Sequence, residues 1–165
     1  MPTATYIALA NVTLSTSDSS ITFSSIPTNG TYRDLVVIIT GNTTANADIN
    51  IRLNGDSGAN YSFIYVGGSG SGSGSTSSAS GQTAIVLDAY FWRSTEISTC
   101  IAHIMDYSAT DKHKTIISRN NVVGGGTDAF INRYASTSAI SSLEVRNPAQ
   151  SFASGTTITL FGIAS

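Results

Sequence analysis

The sequence predicts an all-β fold, an antiparallel β-sandwich of jelly-roll type with about ten strands. Three observations predict it. Short runs rich in Val, Ile, Thr, Tyr and Phe recur along the whole chain, separated by clusters of Gly, Asn, Asp, Ser and Pro. Several of these runs alternate apolar and polar residues with the two-residue period of a strand. No stretch carries a convincing 3.6-residue period, and the connections are too short for crossover helices, which implies antiparallel pairing. The 165 residues fit one sandwich domain, 1–165, able to bury roughly 70% of its unfolded surface without disulfide or metal.

The elements follow in order. Residues 6–14 place Tyr6, Ala8, Ala10, Val12 and Leu14 on one side and Ile7, Leu9, Asn11 and Thr13 on the other. Residues 20–26 set Ile21 and Phe23 on one face, and Pro27 ends the ladder because it has no N–H to donate. Thr28-Asn29-Gly30-Thr31 is turn chemistry. Leu35-Val36-Val37-Ile38-Ile39 does not alternate, so it reads as a central strand covered on both faces. Residues 48–54 point Ile49, Ile51 and Leu53 inward, and Asn54-Gly55 is a hairpin signal. Residues 61–66 put Tyr61, Phe63 and Tyr65 on one face, with Ile64 and Val66 on the other.

Residues 67–81 are nearly pure Gly, Ser and Ala. They read as a slack surface loop, or as an arm lying on a neighbouring subunit. Strands are expected again over 83–93, 98–107, 114–121, 128–135, 141–146 and 156–163, and 149–154 could form a single helical turn.

Composition narrows the function. Charged residues are 11% of the chain, against about 25% in an average soluble domain. Ser and Thr together supply 47 residues, so hydroxyls replace charges as the polar surface. Short hydroxyl side chains lose little entropy when a neighbour covers them, which suits a protein packed among other subunits. Thr is also favoured in strands for its own sake. The net charge of −2, with basic residues dispersed, argues against nucleic acid as a partner. Lys112-His113-Lys114, opposite Asp106 and Asp111, reads as a solvated hairpin end. No apolar run is long enough to span a membrane as a helix, and the first residues lack the pattern of a signal peptide.

The residues offer no set for catalysis, so the chain is expected not to be an enzyme. A serine nucleophile needs a His base and an acid, and the histidines are His103 and His113. His103 alternates with Ile101 and Met105 on an apolar strand face, where a hydrogen-bonded structural histidine is expected. Cys100 is the single cysteine, which excludes an internal disulfide and reads as a small buried hydrophobe. Asn54-x-Asp56-x-Gly58-x-Asn60 faintly resembles a calcium loop but lacks the closing bidentate carboxylate, so it reads as a turn. No metal and no cofactor is expected. Phe91-Trp92-Arg93 is the densest aromatic group. Tyr61, Tyr65 and Trp92 are the candidate contacts for a partner surface or a glycan ring.

Three stretches together carry a family likeness. The first runs from Tyr6-Ile7-Ala8 and Thr13-Leu14 through Ile21-Thr22-Phe23-Ser24-Ser25-Ile26-Pro27 to Tyr32-Arg33-Asp34-Leu35-Val36-Val37. The second is Arg52-Leu53-Asn54-Gly55-Asp56-Ser57-Gly58-Ala59-Asn60-Tyr61-Ser62. The third is Phe152-Ala153-Ser154-Gly155-Thr156-Thr157-Ile158-Thr159-Leu160-Phe161-Gly162-Ile163. The chain resembles the small virion structural proteins of tailed bacteriophages, of the capsid decoration (cement) or tail-fibre type. The resemblance implies a β-rich virion component and transfers no functional residue.

A compact unit without coiled coil or repeat fits the decoration role better than a fibre. The expectation is therefore a capsid cement protein on the capsid surface of a virion assembled in the bacterial cytoplasm. Its partner would be the major capsid protein, and it would associate with itself as a homotrimer at local three-fold positions. The alternative is a tail-fibre, receptor-binding or carbohydrate-binding module of the virion.

Overall fold

A computed structural model describes residues 4–89 and 92–165. Its described residues form twelve strands and no helix. They are β1 (Tyr6–Thr13), β2 (Ser20–Phe23), β3 (Tyr32–Gly41), β4 (Asn50–Leu53), β5 (Tyr61–Gly68) and β6 (Gly74–Gln82). The second half gives β7 (Ile85–Val86), β8 (Ser98–Ile104), β9 (Lys114–Val122), β10 (Gly126–Tyr134), β11 (Leu143–Arg146) and β12 (Thr157–Ala164). An eight-stranded sheet has the order β1-β12-β3-β8-β9-β10-β5-β6, and a four-stranded sheet the order β2-β11-β4-β7. Every pair is antiparallel. The chain passes back and forth between the sheets, as a jelly-roll-like sandwich does.

The core lies between the two sheets. Leu35, Val37 and Ile39 of β3, Cys100, Ala102 and Ile104 of β8, and Ile158 and Leu160 of β12 line the larger sheet's inner face. Ile51, Leu53, Ile85, Leu143 and Val145 face them from the smaller sheet. Trp92, Tyr107 and Phe152, on connecting segments, complete the packing with no exposed surface. Cys100 is a buried free thiol, and burial pushes it well above its ordinary pKa.

Several expectations are corrected. The Gly/Ser tract is not a slack loop. Residues 74–82 are the strand β6, paired along β5 with Val66 opposite Thr76 and Ile64 opposite Ser78. Small side chains leave the backbone free to hydrogen-bond, and the long β5 supplies the template. It is this strand that takes the count to twelve.

The expected strand over 83–93 shrinks to Ile85–Val86. Beyond it Asp88 accepts the Ile49 N–H at 2.8 Å and Trp92 exchanges two backbone bonds with Ala47. Phe91, part of the aromatic group, lies outside the described residues. Residues 149–154 form no helical turn: Asn147 Oδ1 accepts the N–H groups of Ala149 and Gln150, and Phe152 bridges to Asp18. Asn54-Gly55 does turn the chain with positive φ at both residues (51° and 67°). It joins the two sheets instead of closing a hairpin, since β4 and β5 belong to different sheets.

Lys112-His113-Lys114 is not a uniformly solvated end. Lys114 is fully buried, and its Nζ donates to the carbonyls of Ala109 (2.6 Å), Lys112 (3.1 Å) and Thr137 (3.4 Å). Burial pulls its pKa down, partly offset by Asp111. His113 Nδ1 accepts from the Arg133 guanidinium at 2.6 Å.

Candidate docking face

Among the described residues, no second layer of strands lies over the outer face of the eight-stranded sheet. Antiparallel partners share a face, so the pairing register draws lateral rows of side chains across this surface. One row runs Ala8, Phe161, Val36, His103, Ile117, Ile131, Ile64, Ser78, with one residue from each of the eight strands. At about 4.8 Å between strands this row is about 34 Å long. It is apolar except at His103 and the final Ser78. Ile117 is 45% exposed, Ile131 48% and Ile64 55%.

The next row is Asn11, Thr159, Ile38, Ile101, Arg119, Ala129, Val66, Thr76. The row beyond it is Thr13, Thr157, Thr40, Thr99, Asn121, Thr127, Gly68, Gly74, dominated by hydroxyls. The face thus grades from an apolar band to a threonine margin. Two shallow troughs indent the band. One of about 460 Å³ is bounded by Tyr6, Val36, His103, Ile117 and Arg119. The other, about 450 Å³, has Ile64, Val66 and Ile131 against Thr76 and Ser78.

His103 is held at this surface by Asp34, whose Oδ2 lies 3.0 Å from Nε2. Asp34 Oδ2 also accepts from the Arg33 guanidinium at 3.1 and 3.2 Å, and Oδ1 accepts the Asp106 N–H at 2.8 Å. Burial pushes the Asp34 carboxyl up, but the Asp106 N–H, His103 and Arg33 outweigh it and hold the group below its ordinary value. The network is a brace for the band's one imidazole. Among the described residues no Ser, Thr or Cys side chain hydrogen-bonds to His103, and no three His, Cys, Asp or Glu side chains converge as metal ligands do.

The expected contacts divide. Tyr61 (1% exposed) and Trp92 (0%) are core residues, not platforms. Tyr61 stacks on Tyr134 at 4.7 Å between ring centres, and its hydroxyl donates to the Asp56 carbonyl at 3.0 Å. Trp92 Nε1 donates to Asn120 Oδ1 at 3.0 Å between the sheets. Tyr65 is half-buried and stacks on Phe130 at 5.0 Å. Asp56 serves the turn: it accepts from Gly58 N, Asn60 Nδ2 and Tyr134 Oη at 2.7, 2.9 and 3.0 Å.

Sequence reasoning missed the band. The signal was present in the unbroken apolar run of β3 and in the two apolar faces of residues 61–66. The β3 run reads as covered on both faces, and Val36 is buried; the open part of the face lies over Ile117, Ile131 and Ile64 on β9, β10 and β5.

No protein-family model matches the chain, and no curated protein matches it. Solved structures resemble it remotely. An exo-inulinase from Aspergillus awamori aligns at 14% identity over 96% of this chain and 29% of its own, with a TM-score of 0.48. The galectin LEC-6 of Caenorhabditis elegans aligns at 10% identity over 94% of this chain and 96% of its own, with a TM-score of 0.40. A sucrose-6-phosphate hydrolase from Lactobacillus gasseri aligns at 10% identity over 90% of this chain, which spans 29% of the hydrolase, with a TM-score of 0.37. At this distance none of these likenesses bears on what the chain does. The class of protein defined by the strands and their pairing is an all-β antiparallel sandwich.

Proposed function

We propose that this chain is a non-catalytic structural protein of a tailed-phage virion, a capsid cement protein that docks on the major capsid protein. The supporting observation is the largely apolar row across one sheet, in which Ile117, Ile131 and Ile64 on three adjacent strands are exposed. Large contiguous apolar patches on a folded surface mark interaction sites. A face about 34 Å wide and about 25 Å along the strands offers about 800 Å², one partner's share of a standard interface. Charges on that area are few: Arg119 lies in the second row, and Arg133 and the Asp34 carboxylate paired with His103 lie in the row on the other side of the first. The virion assignment itself rests on the family resemblance of the three sequence stretches.

Cement acts by mass action. A subunit that binds only the assembled lattice stabilises it according to its concentration relative to Kd, and many copies add avidity. The burial of Tyr61 and Trp92 removes two of the three ring platforms on which a glycan-binding reading leaned. The test is to purify particles and measure copies per particle. Copies in stoichiometry with the major capsid protein support the proposal, and a copy number matching the tail overturns it. Rebinding to stripped shells adds a residue-level check: Ile117→Glu with Ile131→Glu abolishes it if this face docks.

A further inference from the structure

A sheet edge exposes rows of unpaired backbone N–H and C=O groups, and natural proteins blunt such edges with charge, proline or a bulge. The eight-stranded sheet ends at β1 on one side and β6 on the other. β1 is interrupted within its length by a register shift between Ala8 and Ala10, which is a protective irregularity. It also presents the bulky Tyr6 and Ile7.

β6 is different. Its irregularity falls at its end, between Ala79 and Gln82, so residues 74–79 pair regularly with β5. That stretch reads Gly-Ser-Thr-Ser-Ser-Ala, without charge, proline or any side chain larger than Thr. Residues 74–78 are exposed. Its neighbour β5 also carries no charge.

We infer that β6 is a pairing edge for a second copy of this chain: two β6 strands join antiparallel across a two-fold axis and fuse two eight-stranded sheets into one. A two-fold axis brings identical strands together antiparallel. The occupant is another β6 because the pairing needs an uncharged strand with small side chains on both faces, and the sheet's other edge fails on both bulk and regularity. Opposed Ser and Thr side chains pair favourably across antiparallel strands.

The outer face adds a second argument. The trough formed by Ile64, Val66, Ile131, Thr76 and Ser78 lies at this end of the sheet. The two-fold axis would set two such troughs side by side, with the Thr76 and Ser78 side chains of the paired β6 strands between them. The resulting pair differs from the three-fold cluster expected from sequence, and it concerns the purified chain alone, apart from any capsid.

The test is the mass in solution by light scattering over a concentration series, with amide deuterium exchange on the same samples. The expected result is a species of twice the 17.1 kDa chain mass, with amides in 76–79 exchanging at least about tenfold more slowly as the pair fills. Thr76→Lys with Ser78→Lys places like charges on the opposed strands and returns the mass to that of one chain, with the β circular-dichroism spectrum unchanged. Three results overturn the inference: a monomer at all concentrations, a species of three times the chain mass, or a pair whose β6 amides exchange freely. If the double variant fails to fold, the exchange data on the natural chain decide.

Discussion

Asp128 offers the sharpest quantitative test of the interior. It sits on β10, 4% exposed, facing the segment that carries Trp92, and its Oδ2 accepts the Ala89 N–H at 2.9 Å. Burial raises its pKa, against the lowering effects of the Ala89 N–H and Asn120, from 3.8 to about 6. Asp88, also buried, is raised well above its ordinary value by burial, with Asp48 and Asp128 adding to the rise.

A raised carboxyl means the folded chain binds the proton more tightly than the unfolded chain. Between the two pKa values the unfolded state therefore carries fewer protons, and stability falls as pH rises. For Asp128 alone the stabilisation is fully present below about pH 4, and about 3 kcal/mol of it is lost as pH passes through about 6. Asp34 and Asp56, whose pKa values are lowered, act with the opposite sign, but only at more acidic pH. The net expectation is a chain more stable near pH 5 than near pH 7.

Urea unfolding followed by Trp92 fluorescence at a series of pH values measures this directly. Asp128→Asn removes the titrating proton while an amide oxygen remains to accept the Ala89 N–H, so its stability curve should be shallower between about pH 4 and pH 6. Asp88 and Asp48, both raised by burial, supply the slope that remains. A natural chain whose stability is flat or rising over that interval, or an Asp128→Asn variant with the unaltered slope, would refute the reasoning.

Two further predictions concern packing. Lys114→Met keeps the buried aliphatic stem but leaves the carbonyls of Ala109, Lys112 and Thr137 without their shared donor. It should cost about 1–3 kcal/mol in chemical denaturation, and no loss would show that water satisfies those carbonyls equally well. Gly162→Ala drives a methyl group to within 2.5 Å of the Tyr32 ring, so a drop in Tm equivalent to about 1–3 kcal/mol is expected. Adding Tyr32→Ala should make the Gly162→Ala change far less costly, a coupling that a double-mutant cycle reads out.

Much of the architecture was legible because strand periodicity is written locally. The alternation in 48–54 and 98–104, and the turn residues around Pro27, Gly30 and Gly55, need no knowledge of distant neighbours. β6 was illegible for the converse reason. A Gly/Ser tract has no pattern of its own, and only the template of β5 makes it a strand.

The candidate face was half legible. Local sequence marks Ile64, Val66, Ile117 and Ile131 as apolar, but a continuous row across eight strands exists only once the register is fixed, and register is set by pairing between residues far apart in the chain. The same holds for Tyr61, Trp92 and Lys114. Their chemistry suggested surface roles, whereas packing between the sheets, with a hydrogen-bond partner for each polar tip, took them inside. The sequence by itself determined that this is a two-sheet β protein with a hydroxyl-rich exterior. Tertiary structure alone decided which apolar residues are covered and which form an open face, because burial is a property of what folds over a side chain, not of the side chain.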